Sequence, residues 1–266
     1  MIIDFHTHAF PDFLAVKAIP VLEEKCSSKA FTDGTVKQLT ESLDRAGVDM
    51  AVVNSIATKP TQETSVNNFA ISLLENKRLV PFGSVFPGSD TAISELERIK
   101  AAGLRGVKLH PEYQQFYLDC EAAFPIYEKC AQLGLVITFH AGADAGYPPP
   151  VHALPDRINR VTQMFPDTVF VAAHFGGYNT WDRVESELVP RDNLYLDTSM
   201  TDTIAKLSPD TAKKIISHHG TEHILLGSDL PWERQETSIA KIRSYGLSAR
   251  DTELILGENA KRLLKL

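Results

Sequence analysis

Short apolar runs recur along the chain, and longer stretches with a helical pattern separate them. Each run is five to seven residues long, a length typical of a buried strand. Eight such runs occur: "MIIDF", "MAVVNSI", "VPFGSVF", "GVKLH", "LVITFH", "TVFVAAH", "NLYLD" and "ILLGSD". Strands that alternate with helices in this way are typical of βα units around a parallel sheet.

The stretches between the runs predict helices. Several end one or two residues before a glycine, as in "RAGVD" and "QLGLV", and glycine supplies the left-handed residue that ends a helix at little energetic cost. The predicted helices are Val36 to Ala46, Glu63 to Asn76, Thr91 to Ala102, Ala122 to Leu133, Pro155 to Phe165, Trp181 to Leu188, Pro209 to His218, Glu236 to Tyr245 and a last one, Ala249 to Leu264.

Eight strand and helix pairs in a chain of 266 residues match the size and element order of a (β/α)₈ TIM barrel. An open doubly wound sheet is the alternative, but neither of its usual phosphate motifs, GxGxxG or GxxxxGK[ST], occurs in the sequence. No linker rich in Pro, Gly or Ser divides the chain. We therefore expect one α/β domain over residues 1–266, a TIM barrel with an extra C-terminal helix.

Composition and charge narrow the classes of partner. Apolar residues make up 43% of the chain, which is ample for a buried core. There are 27 basic and 34 acidic residues, with no cluster of Lys and Arg, so we expect no nucleic-acid partner. No segment has the about 18 consecutive apolar residues of a membrane span. The three cysteines are widely spaced, and we expect a cytoplasmic protein without disulfides that does not bind membranes.

Polar residues concentrate at the ends of the apolar runs. His6 and His8 close the first run, and the alternation of a strand points both to one face, with their Cα atoms about 7 Å apart. In a barrel, catalytic groups lie at the carboxyl ends of the strands, where the βα loops open. Six of the eight runs end in residues that can bind a metal ion or move a proton: His6 and His8, Lys108 and His110, His140, His174, Asp197, and Asp229.

One such residue alone is weak evidence for a site. A lone histidine at a strand end is more often a hydrogen-bonded core residue, and an aspartate such as Asp229 is more often a helix N-cap. Such residues are much less expected to occur by chance at the same end of six strands. The alternation of side chains along a strand also lets Lys108, His110 and His140 face the barrel axis together. Imidazoles with one carboxylate suit Zn²⁺. The pattern therefore favours a catalytic metal site.

The strand ends resemble those of the amidohydrolase superfamily, and more narrowly its amidohydrolase-2 branch of metal-dependent hydrolases, lactonases and non-oxidative decarboxylases. The matching stretches lie between residues 2 and 264, nearly the whole chain, and are specific only in combination. They are "IDFHTHAFP", "GVKLHPEYQ", "ITFHAG", "AAHFGG", "LYLDTSM", "ILLGSDLPW" and "ILGENAKRLL".

The resemblance implies a role for each strand-end residue. His6, His8, His140 and Asp229 would hold one divalent ion, with Zn²⁺ favoured and Mn²⁺ or another divalent metal left open. His174 would lie just beyond coordination range. A metal lowers the pKa of bound water to about 7, and His174 or Asp229 would then act as the catalytic group that moves its proton.

Lys108 has two interpretations, because a lysine ammonium inside a barrel is destabilising unless it is paired. The first is a salt bridge with Asp4, which the alternation of the strand places on the same face as His6. The second, implied by binuclear members of the superfamily, is a carboxylated Lys108 that bridges two metal ions, with His140 and His174 on the second ion. We favour one ion per chain.

Several further residues are candidates for contact with the substrate. They lie in the loops after the fourth, fifth and eighth runs, where the alternative is ordinary surface chemistry without a ligand. These candidates are His110, Tyr113, Gln114, Tyr147, Arg157 and Trp232.

The leading functional hypothesis is a hydrolase that uses a metal-activated water on a small carboxylated ester, lactone or amide. The first alternative is a non-oxidative decarboxylase of an aromatic or unsaturated carboxylic acid. The second alternative is a non-catalytic metal-binding barrel. The expected partner is a small-molecule substrate, and a homodimer is left open.

Overall fold

Eight parallel strands among the described residues form the centre of the molecule, each at the position of a predicted run. The computed structural model describes residues 1–200 and 206–266. The strands are β1 (Ile3–Thr7), β2 (Met50–Asn54), β3 (Leu79–Phe82), β4 (Gly106–Leu109), β5 (Val136–Phe139), β6 (Phe170–Ala172), β7 (Leu194–Asp197) and β8 (Ile224–Leu225).

The strands β1, β2 and β3 pair in chain order in one sheet, and the strands from β4 through β8 pair in chain order in a second sheet. Backbone hydrogen bonds just beyond the short strands link the two sheets. Gly83 N donates to Gly106 O at 3.0 Å between β3 and β4, and Phe5 N donates to Leu226 O at 2.7 Å between β1 and β8. The predicted (β/α)₈ barrel is confirmed.

Helices surround the strands at nearly the predicted positions, and the predicted glycines Gly47, Gly103 and Gly134 follow α2, α4 and α6 in left-handed conformation. No helix among residues 1–200 and 206–266 is long and apolar enough to cross a membrane. The helices are α1 (Asp12–Cys26), α2 (Val36–Ala46), α3 (Glu63–Ser72), α4 (Ala92–Ala102), α5 (Pro111–Gln114), α6 (Phe124–Leu133), α7 (Pro155–Met164), α8 (Trp181–Glu187), α9 (Pro209–His219), α10 (Gln235–Ser244), α11 (Ala249–Glu253) and α12 (Asn259–Leu264).

The first helix, α1, is absent from the sequence prediction. Pro20 lies inside it, and its apolar residues do not form one stripe, so the usual signature of an amphipathic helix is missing. Ala15 and Ile19 are its buried positions, whereas Phe13 and Val16 are exposed. The helix lies beside the carboxyl ends of the strands and contributes to the cavity described below.

The core has an inner and an outer part. Ile3, Phe5 and Leu225 belong to the apolar cluster inside the barrel, and Ala260 and Leu264 of α12 join them. A larger cluster fills the space between the strands and the surrounding helices. The predicted last helix is observed as α11, a π-helical turn (Leu254–Glu258) and α12, and it closes the amino-terminal end of the barrel.

An irregularity in β1 corrects the predicted position of Asp4. The pairing register with β2 shifts between Asp4 and Thr7, as at a β-bulge, so simple alternation does not hold there. Asp4 therefore faces the helix layer, where its carboxylate accepts hydrogen bonds from Ser228 N at 2.9 Å and Gln235 Nε2 at 2.7 Å. The predicted salt bridge with Lys108 is wrong for this reason. Burial raises the pKa of Asp4 to about 6.

Gly142, in the loop after β5, allows two loops at the barrel mouth to approach closely. Its φ is +81°, and a Cβ atom there would lie 2.3 Å from Tyr178 N. Gly134 has φ +61° and no atom within 4 Å of such a Cβ, so it is the matched control. We expect Gly134→Ala to lower the free energy of unfolding by about 1 kcal/mol. Gly142→Ala should lose about 1–3 kcal/mol more, measured by urea denaturation; equal losses would contradict this contact.

Candidate metal centre

The carboxyl ends of the strands surround a cavity of about 610 Å³. Most of the sequence-predicted site residues meet there. Those that line it are His6, His8, Lys108, His110, Tyr113, His140, His174, Asp229 and Trp232. Gln114, Tyr147 and Arg157 are not part of its lining.

Three atoms converge at the inner end of this cavity. His6 Nε2 lies 3.2 Å from His8 Nε2, and Asp229 Oδ1 lies 3.3 Å from the first and 3.0 Å from the second. An ion bound at about 2.0–2.2 Å by all three atoms needs them roughly 3–3.5 Å apart. The triangle therefore has the size and the donor set that a divalent ion requires.

The other nitrogen of each histidine in the triangle is already hydrogen-bonded. His6 Nδ1 lies 2.8 Å from Asp197 Oδ2, and His8 Nδ1 lies 2.8 Å from the backbone oxygen of Asn54. Both acceptors require a proton on Nδ1, which leaves the Nε2 lone pair directed at the triangle. Metal-binding histidines usually have such partners. Burial, followed by the charge of Lys108, lowers the pKa of His6 and favours the neutral, metal-binding form.

His140, the fourth predicted ligand, is adjacent to the triangle but not part of it. Its Nε2 donates to Ala143 O at 2.8 Å, so its Nδ1 carries the lone pair, and that atom lies 3.0 Å from His174 Nε2. His110, His140 and Asp144 form a second group of potential ligands, but Asp144 Oδ2 is 3.9 Å from His140 Nε2. Because His140 Nε2 donates to Ala143 O, it has no lone pair for a metal ion in this second group. Coordination by His140 Nδ1 stays a prediction.

His174 is linked to the triangle through a serine and an aspartate. Its Nδ1 lies 2.9 Å from Ser199 Oγ, which is also 3.1 Å from His6 Nδ1 and donates to Asp197 Oδ1. His174 has φ +57° and Asp229 has φ +71°, a region that residues with a Cβ seldom occupy. Such backbone conformations are concentrated at functional sites.

Lys108 is buried at the floor of the cavity, with 1% of its surface exposed. Its Nζ lies 3.1 Å from His6 Nε2. Burial lowers the pKa of Lys108 to about 8, although the nearby carboxylates of Asp197 and Asp229 oppose the shift. A cationic group therefore lies beside the three converging atoms. The prediction that Lys108 is carboxylated stays untested.

Two aromatic rings extend the cavity wall from the metal centre. The His110 ring stacks on His140 with 4.5 Å between centroids and on Tyr113 with 3.8 Å. His110 also lies 3.5 Å from Asp144 through its Nε2. Trp232, after β8, lines the same cavity. These positions suit contact with a substrate, which stays a prediction for each residue.

The other substrate candidates have partners elsewhere. The Gln114 amide donates to Ala57 O at 2.8 Å and thereby ties two loops together. Arg157 pairs with Asp119 and lies 4.3 Å from the centre of a tyrosine ring. Tyr147 packs under the ammonium of Lys25, 3.5 Å from the ring centre. These contacts give each residue a role in holding the loops around the cavity.

Sequence reasoning did not single out several residues of the centre. Asp144 follows His140 by four positions in "HAGAD", and in a loop this spacing does not indicate that the two side chains lie together. Ser199 follows Asp197 by two positions, so strand parity offered a signal for it. The apolar wall from α1 carried no signal, because that helix was not predicted.

The carboxylate of Asp197 should contribute to metal affinity through His6. We expect Asp197→Asn to weaken the binding of Mn²⁺ or Zn²⁺ by about 10–100-fold, because the amide polarises and orients the imidazole less well. Competition with a coloured chelator measures the affinity. Asp210→Asn, at an exposed position in α9, is the matched control. Unchanged affinity in a folded Asp197→Asn protein would refute this role.

Known proteins are similar to this chain over nearly its whole length. A 2-amino-3-carboxymuconate-6-semialdehyde decarboxylase from Dictyostelium discoideum is 24% identical over 336 positions, covering 99% of this chain and 91% of the relative. An uncharacterised TIM-barrel protein from Bordetella bronchiseptica has a TM-score of 0.82 at 20% identity, over 99% of this chain and 98% of that one.

A third relative contains a metal ion. A dihydroxybenzoic acid decarboxylase from Polaromonas sp. JS666, solved with manganese and the inhibitor 2-nitroresorcinol, has a TM-score of 0.75 at 17% identity. The match covers 100% of this chain and 97% of that one. The likeness shows a shared fold. It does not single out zinc, the metal favoured from the sequence.

These relatives correct the leading functional hypothesis. The curated relative is named as a decarboxylase, so the hypothesis of a hydrolase is wrong and its first alternative is better supported. They also support an enzyme over a non-catalytic metal-binding barrel.

The family model described as "Amidohydrolase" matches residues 3–266, which include every strand of the barrel and the converging histidines and aspartate. The resemblance read from the strand ends is thereby confirmed. This chain belongs to the Amidohydro_2 family of amidohydrolases.

Proposed function

We propose that this chain is a metal-dependent decarboxylase that releases CO₂ from a small carboxylic acid without oxidation. The observation that carries the metal dependence is the triangle of His6, His8 and Asp229 at the inner end of a cavity, beside the buried amine of Lys108. The curated relative from Dictyostelium discoideum supports the same reaction class.

Decarboxylation breaks the bond between the carboxylate carbon and its neighbour. The electron pair stays on the neighbouring carbon, which accepts a proton while CO₂ leaves, so no oxidant is required. When bound, a divalent ion supplies a Lewis acid that orients and polarises substrate oxygens. His174 Nε2, at 3.0 Å from His140 Nδ1, is placed at the same centre to hold and move a proton.

Charge and burial favour the binding of a carboxylate at the inner end of this cavity. Lys108 attracts an acid there by its charge. Lys108 and His6 are each 1% exposed, so bulk water screens their interaction with a bound acid only weakly. The reaction then removes the localised charge of the carboxylate as neutral CO₂.

We propose that His6, His8, His140 and Asp229 hold one ion, either Zn²⁺ or Mn²⁺. Imidazole nitrogens suit zinc and carboxylates suit manganese, so the mixed donor set fits both. Lys108 is not carboxylated in this proposal, and the nearby carboxylates of Asp197 and Asp229 favour its charged form. The substrate is a small molecule.

Metal removal tests the proposed function directly. Purified protein is incubated with aromatic and unsaturated carboxylic acids, and released CO₂ is measured together with metal content and intact mass. We expect CO₂ release that a chelator abolishes and that Mn²⁺ or Zn²⁺ restores, with one ion per chain and no carboxylate on Lys108. Metal-loaded protein that releases no CO₂ from either class of acid would refute a decarboxylase.

His174 offers a second test, because it lies beside the metal centre rather than within the triangle. We expect His174→Asn to lower kcat by about 10²–10⁴-fold, the usual contribution of a positioned acid or base, while the metal content is retained. His218→Asn, at an exposed position in α9, should leave kcat unchanged. Full turnover by the His174 variant would exclude proton transfer through this residue.

A further inference from the structure

The outer part of the cavity has apolar walls from two helices. Leu14, Val21 and Leu22 of α1 line one side, and Val66 and Phe69 of α3 line another. The polar site residues lie at the strand ends, so the cavity is divided into a charged inner end and an apolar outer part. Its volume of about 610 Å³ lies within the range of about 300–1,000 Å³ that holds drug-sized ligands.

Apolar side chains on the cavity face of α1 are unusually open to solvent. Val21 is 62% exposed and Leu14 is 40% exposed, although both line the cavity. Large apolar residues in this state lose contact with water when a ligand enters, and the gain is about 0.8 kcal/mol for each buried methylene. The outer part is therefore suited to an apolar group.

The charged groups of the cavity set the orientation of such a ligand. Its charged lining residues are Lys17, Lys108, Asp144 and Asp229, and no arginine among the described residues lines it. Lys108 lies beside the metal centre, so the reacting carboxylate belongs at the inner end. The remainder of the acid then extends outward between α1 and α3.

We propose that the space between α1 and α3 is a subsite for an apolar substituent, and that the substrate is a carboxylic acid with an alkyl or aryl group extending away from its carboxylate. This inference rests on the proposed function for the position of the carboxylate. It adds α1 and α3 as the elements that determine specificity.

The test measures binding rather than turnover. Benzoate, 4-ethylbenzoate, 4-butylbenzoate and 4-hexylbenzoate are titrated into metal-loaded protein by calorimetry. The subsite predicts that affinity rises by up to about fourfold for each added methylene. The same affinity for all four acids, or no binding by any of them, would overturn the proposal.

Two valines on α1 provide a matched pair of variants. Val21 lines the cavity, whereas Val16 is 71% exposed and does not line it. Val21→Ser should weaken the binding of 4-hexylbenzoate by about threefold to tenfold and leave benzoate unchanged. Val16→Ser should change neither affinity. Since both positions are exposed, neither variant is expected to prevent folding.

The remaining outcomes separate this inference from its alternatives. Equal weakening by the Val16 and Val21 variants would overturn the subsite. If sedimentation also showed that both variants dissociate an assembly, the exposed face of α1 would be an interface between copies of this chain. Affinity that depends on tail length in a protein that releases no CO₂ would refute the decarboxylase and retain the subsite.

Discussion

Three lone-pair atoms, from His6, His8 and Asp229, lie within 3.3 Å of one another at one end of the barrel. The arrangement depends on the contact between β1 and the segment after β8, where Asp229 N donates to His6 O at 2.7 Å. That bond brings the last strand of the barrel beside the first and carries the ligands with them. A bound cation would stabilise this concentration of lone pairs, so closure of the barrel and metal binding depend on the same contact.

Buried residues behind the three converging atoms fix their positions through hydrogen bonds. Asp197 binds the far nitrogen of His6, and Ser199 joins that carboxylate to His174. These contacts make His6, His174 and the end of β7 one hydrogen-bonded unit. A buried polar network of this kind is stabilising when its members have partners and destabilising when one is removed. The outer cavity has the opposite character, with apolar side chains on α1 open to solvent.

The reaction class illustrates a limit of reasoning from ligands. Histidines and a carboxylate around a divalent ion serve hydrolysis and decarboxylation equally, because both reactions use polarised oxygens and a moved proton. The apolar wall that we propose to distinguish the substrates comes from α1 and α3, and the sequence pattern of α1 predicted no helix. The similarity to a curated decarboxylase over nearly the whole chain, rather than the strand-end motifs, is what favours decarboxylation.

Local signals along the chain were enough to predict the barrel, the order of its strands and the gathering of His6, His8 and Asp229, because apolar runs, helix-ending glycines and polar residues at strand ends are all visible locally. The orientation of Asp4 followed from the pairing of β1 with β2, because a register shift in β1 reverses the alternation that a regular strand would have. The packed fold also set the pairing of Arg157 with Asp119 and the place of α1 in the cavity wall. These outcomes depend on contacts between segments far apart in the chain, which no local periodicity records.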